Sequence, residues 1–185
     1  MRFSKLDYDS LDGTAKDLAD RVLKVSADGI GGPFNMLLKS PGSGALIVNL
    51  LDHFNGGASH LDGLTRRLAV LILSRATSAR YAWWTHCRRA LKAGEFRQDQ
   101  LDALNQFRRP DDLTPRLDAV FDYVTALAKG SPTPAPVLTA LKAHLSEAEV
   151  VDLILFCGTY TTVAMILNEA DVALPEGEVD TLIRD

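Results

Sequence analysis

Residues 67–86, RLAVLILSRATSARYAWWTH, decide how this chain folds. Leu68 to Leu73 are apolar without alternation, and the stretch continues at helical length on both sides of Thr77-Ser78. It reads as the end of one helix, running from about Asp62 to Thr77, and the start of another, Ala79 to Ala93. Ser78 is the expected N-cap of the second, and Gly94 its stop. On that second helix Ala79, Ala82, Trp83, His86 and Ala90 fall on one side.

The rest of the chain follows the same period. Leu18, Val22 and Val25 predict a first helix, opened by Thr14, and GIGGP at 29–33 breaks it. A helix from Ala45 to Phe54 stops at Asn55-Gly56-Gly57, and a short one covers Gln98 to Gln106. Leu117, Phe121, Val124 and Leu127 recur at helical spacing up to Gly130, and Pro132, Pro134 and Pro136 mark a connector. Ser146 and Glu149 form a capping box ahead of VVDLILFCGTYTTVAMIL. That last helix is apolar on nearly every face, which predicts a central element or one buried between subunits. The tail after Asn168 reads as irregular. No strand pair, repeat or long linker interrupts this pattern. The expectation is an all-α helical bundle of about seven to nine helices, one domain over 1–185.

Composition narrows the function classes. The chain has 185 residues, 46% hydrophobic and 24% charged, with a net charge of −4. No block of like charge offers the basic face that nucleic acid requires. The N-terminal MRFSKLDYDSLDG lacks a signal-peptide core, and the run Leu68–Leu73 is far too short to span a bilayer. A cytoplasmic protein without a membrane partner is expected. The two cysteines, Cys87 and Cys157, lie far apart with no metal-type or dithiol spacing. No histidine–carboxylate set has convincing metal spacing. No metal or cofactor is expected.

Three segments carry a family resemblance: GPFNMLLKSPG at 32–42, TRRLAVLILSRATSARYAWWTHCRRALKAG at 65–94, and VVDLILFCGTYTTVAMILN at 150–168. In this order they resemble the carboxymuconolactone decarboxylase and alkyl hydroperoxidase D-like family. The redox branch of that family keeps a glutamate, a CxxC pair and a histidine four residues on. Those positions here are Arg67, Ala79, Ala82 and His86. Decarboxylase-type members place a glutamate at the position of Ala82. Only His86 carries over. Dithiol reduction of peroxides needs an attacking and a resolving thiol, and two alanines supply neither.

What the resemblance implies is a lyase acting on a small lactone or carboxylate, a catabolite of the aromatic-degradation kind. His86 would be the general acid or base. It implies a homo-oligomer, trimeric or hexameric, as well. Periodicity alone allows His86 to be a packing residue, or the floor of a pocket beside Trp83. Arg67 is either a solvated charge beside Arg66 or a clamp for an anionic substrate. Phe34 and Asn35 belong to the GPFN entry, which in the family lies near the cavity. Tyr81 and Tyr160 are aromatics that either line a pocket or pack in the core or an interface, and His53 is either a loop-surface residue or approaches the pocket from the preceding helix. The rival class is a non-catalytic helical oligomer that binds a ligand or only packs.

Overall fold

The computed structural model describes residues 2–26 and 29–183. Arg184 and Asp185, the end of the tail read as irregular, lie outside the described residues. Nine α-helices and one 3-10 turn are found among the described residues, and no strand. They are α1 (Gly13–Val25), α2 (Phe34–Leu37), α3 (Pro41–Asn55), α4 (Gly63–Ala76) and α5 (Arg80–Ala93), then α6 (Gln98–Asn105), α7 (Pro115–Leu127), α8 (Ala135–Lys142) and α9 (Glu147–Glu169).

The centre of the bundle is α4, not α9. Every residue from Leu68 to Arg75 is buried, and α4 packs on α5, α6, α7 and α9 at once. A helix apolar on all sides can only be stable where all its sides are covered. By length and composition α9 could cross a bilayer, which Leu68–Leu73 could not, yet half of its apolar window is buried within the fold. Its other side leaves Val151, Ile154, Leu155 and Met165 between 42% and 61% exposed. A smaller cluster of Leu18, Ala19, Val22, Leu37, Leu38 and Val48 joins α1 and α2 to α3.

The ends of the helices show which local signals operate. Asp62 caps α4 by accepting from Thr65 N–H at 2.8 Å. Ser146 and Glu149 satisfy each other's backbone groups at the start of α9, as the capping box predicts. Ser78 does not cap α5. It sits at φ 51°, with its own N–H on Arg75 O and Ala79 N–H on Ser74 O. That is a Schellman closure of α4 with serine where glycine is usual. Ala79 precedes α5 without a side-chain cap. Asp12, not Thr14, precedes α1, and α3 begins at Pro41, four residues before Ala45. The proline-marked connector holds the start of α8, with Pro136 in its first turn, where a missing N–H costs nothing.

The tail after α9 is irregular but tied down. Trp84 Nε1 donates to Glu178 at 2.8 Å. Asn105 bonds the backbone of Thr181 and Ile183.

Candidate active site around His86

The Schellman turn folds α5 back along α4. Arg67 lies eleven residues before Ser78 and His86 eight after it, and the hairpin brings the long Arg67 side chain back to the ring. Arg67 Nη1 donates to His86 Nδ1 at 2.9 Å. Its Nε donates to Glu95 Oε2 at 2.6 Å. Glu95 comes from the reversal after α5: Gly94 takes φ 66°, and Glu95 N–H returns to Ala90 O. A residue with a Cβ would resist that left-handed conformation.

His86 is 8% exposed. Burial pushes its pKa well below the ordinary imidazole value, and the positive charges of Arg67 and Arg89 add to the shift. The ring is therefore neutral near pH 7. A guanidinium can only donate, so Nδ1 accepts and the ring proton resides on Nε2.

Two cavities meet at this ring. One, of about 180 Å³, lies among α2, α3, α5 and α9, with Phe34, Leu51, Tyr81, Ala82, Val163 and Leu167 in its walls. Thr85 and Arg89 add polar groups to it. The other, about 190 Å³, holds Arg66, Arg67 and Glu95. Asn55, His86 and Tyr160 are common to both. The Tyr160 ring meets His86 edge-on at 5.6 Å, and its hydroxyl accepts from Asn55 Nδ2 at 3.4 Å. Burial raises the Tyr160 pKa, so the phenol keeps its proton. The Thr85 hydroxyl is buried and finds no hydrogen-bond partner among the described residues. An apolar cavity of roughly 150 Å³ holds benzene, so the first cavity suits a one-ring compound.

Of the residues expected at the site, His86, Arg67, Phe34, Tyr81 and Tyr160 come together. Trp83, Asn35 and His53 do not. Trp83 is 2% exposed in the main core. At roughly 100° per residue it stands on the flank of His86 opposite Ala82, Thr85 and Arg89, which carry the cavity side. Asn35 is buried and bonds both backbone groups of Leu6, at 3.0 and 2.8 Å, pinning the N-terminal segment. His53 is exposed, edge-on to Phe54. Arg67 is neither a solvated charge nor a free clamp, because its charge is matched by Glu95. Thr85, Arg89, Asn55 and Glu95 are the residues missed. The 82, 85, 86, 89 spacing on α5 was a signal for two of them, whereas Glu95 has no local one.

No thiol reaches the site. Ala79 and Ala82 are buried, and neither cysteine lines the cavities beside His86. Burial, and for Cys87 also Asp102, pushes both thiols up to about 12. Among the described residues no three His, Cys, Asp or Glu side chains gather as metal ligands would.

No protein-family model matches the chain, and no curated protein matches it in sequence. Its fold does match a solved structure. A protein of unknown function from Agrobacterium tumefaciens, offered as a candidate antioxidant defence protein AhpD, superposes with a TM-score of 0.68 at 20% identity. The match covers 76% of this chain and 96% of that one. The all-helical architecture is the alkyl hydroperoxidase D-like fold.

Proposed function

We propose that this chain is a thiol-independent, carboxymuconolactone decarboxylase-like lyase of the cytoplasm, acting on a small lactone or carboxylate by proton transfer at His86. The observation that carries this reading is the buried imidazole between two cavities, with Nδ1 occupied by Arg67. Loss of CO2 from a β,γ-unsaturated acid in which the carboxyl stands β to a carbonyl, or vinylogously so, sends the bonding electrons onto that carbonyl oxygen. A fixed Nε2–H is suited to meet the oxygen as its charge grows. A proton must then reach the carbon that lost CO2. With its proton on Nε2, His86 is a donor in this scheme rather than a base, and Tyr160 is a second hydroxyl donor beside it. Arg89 lines the cavity wall, and its charge would attract a substrate carboxylate.

The test is a mass-spectrometric screen of one-ring lactones and unsaturated acids, followed by His86→Ala on whatever is consumed. Turnover should fall by roughly a hundred- to ten-thousand-fold, with the fold intact by circular dichroism. Wild-type turnover in that variant would remove His86 from the chemistry.

A second reading, a helical oligomer that only binds or packs, is favoured by the exposed apolar side of α9. Self-association through that side is proposed under either reading, as a trimer or hexamer. An apolar one-ring ligand that binds and is never converted would favour the second.

A further inference from the structure

We infer that Glu95, acting through Arg67, is the positioning residue that decides which ring nitrogen of His86 carries the proton. The tautomer needs no substrate; its use in catalysis rests on the function proposed above.

Arg67 is held from two sides. Fixing its long side chain costs rotamer entropy, and the bond to the imidazole is joined by a second one to Glu95. The contact to Glu95 is charge-assisted and short, 2.6 Å, and such bonds are about twice as strong as neutral ones. The pair is largely covered, with side-chain exposures of 19% and 22%, so water and salt screen it less than a surface pair. Glu95 also removes the penalty of leaving the Arg67 charge partly buried and uncompensated. The neighbouring Arg66 is directed elsewhere, donating from Nη1 to Leu61 O at 2.5 Å.

The three groups therefore act in series. Glu95 orients Arg67, Arg67 occupies Nδ1, and the proton is confined to Nε2. In the resembled family's decarboxylase-type members a carboxylate stands on the same helix, one turn before the histidine. Here the carboxylate comes from the chain reversal beyond the far end of α5 and acts through a cation. A carboxylate touching the ring would favour imidazolium. A guanidinium touching it keeps the ring neutral. The group received at Nε2 must then be a hydrogen-bond acceptor, as a carbonyl or carboxylate oxygen is.

The experiment is nitrogen-15 NMR of histidine-labelled protein at pH 7.5, with the His86 signals assigned by their loss in His86→Gln. The wild type should show a single neutral tautomer, protonated on Nε2. Glu95→Ala should lose that purity, and an Nδ1–H population should appear, as it should in Arg67→Met. If Glu95→Ala does not fold, Glu95→Gln keeps the shape and removes the charge, and the same mixing is expected. A pure Nε2–H signal in the folded Glu95 variant would overturn the inference. Failure to find any substrate would count against the enzyme reading and leave this result unaffected.

Discussion

Arg67 and His86, nineteen residues apart in sequence, meet across the α4–α5 hairpin at 2.9 Å, guanidinium donor on imidazole acceptor. The contact joins the helix at the centre of the bundle to the one that walls the apolar cavity. It also reverses the chemistry expected of a carboxylate at position 67. A cation in contact with the ring opposes its protonation, so His86 enters any reaction as a neutral donor.

That neutrality makes stability depend on pH. The native His86 takes up a proton only well below the unfolded imidazole value of 6.5. Between those two values the unfolded chain binds the extra proton, so stability is full above about pH 6.5 and is lost as pH falls below it. The charged and titratable groups around the ring are Arg66 and Arg67 from α4, Arg89 from α5, Glu95 and Tyr160. Urea midpoints measured from pH 7.5 to 5 should fall, and His86→Gln should flatten the fall. An unchanged slope in the variant would assign the effect to other groups.

Arg89, which lines the first cavity, should contribute to affinity for an anionic substrate. Arg89→Met is expected to raise KM with little change in kcat, the mark of binding shared by ground and transition states. Arg67→Met should lower kcat instead, since it disturbs His86. The reverse pattern in steady-state kinetics would place the clamp at Arg67.

Hydroperoxides should not be turned over with dithiol reductants. With both thiols pushed up to about 12, little thiolate exists at neutral pH. Native alkylation by iodoacetamide should be slow, and Cys87→Ser with Cys157→Ser should leave turnover of any true substrate largely intact. Abolished turnover in the folded double variant would show thiol chemistry after all.

The exposed side of α9 should be covered by another copy of the chain. Sedimentation at micromolar concentration should give a trimer or hexamer. A charge placed at Leu155, 50% exposed, should shift it toward smaller species while leaving helicity unchanged. A wild-type monomer would sink this expectation.

Much of the architecture is legible in local chemistry. The all-helical class, the Asp62 start, the Ser146–Glu149 box and the Gly94 stop follow from period and capping, which neighbours in sequence determine. Ser78 shows the limit even there. A serine before a helix reads as an N-cap, yet the left-handed turn that ends α4 claims it first. Pro132 and Pro134 lie in the connector, whereas Pro136 lies in α8, because a residue that breaks a helix interior is harmless in its first turn.

His86 and Phe34 as site residues could be expected from the sequence through the resemblance, Tyr81 and Tyr160 only as aromatics able to line a pocket or to pack in the core. Which flank of α5 faces the cavity could not. Trp83 and Ala82 stand on either side of His86, and only the packing against α4 and α9 buries one flank and opens the other. Nor could the sequence pair Arg67 with Glu95. Helical periodicity reports the face a residue occupies on its own helix, but ion pairing depends on where two backbones are brought by the turns between them. Those turns, at Ser78 and Gly94, set the chemistry of the histidine.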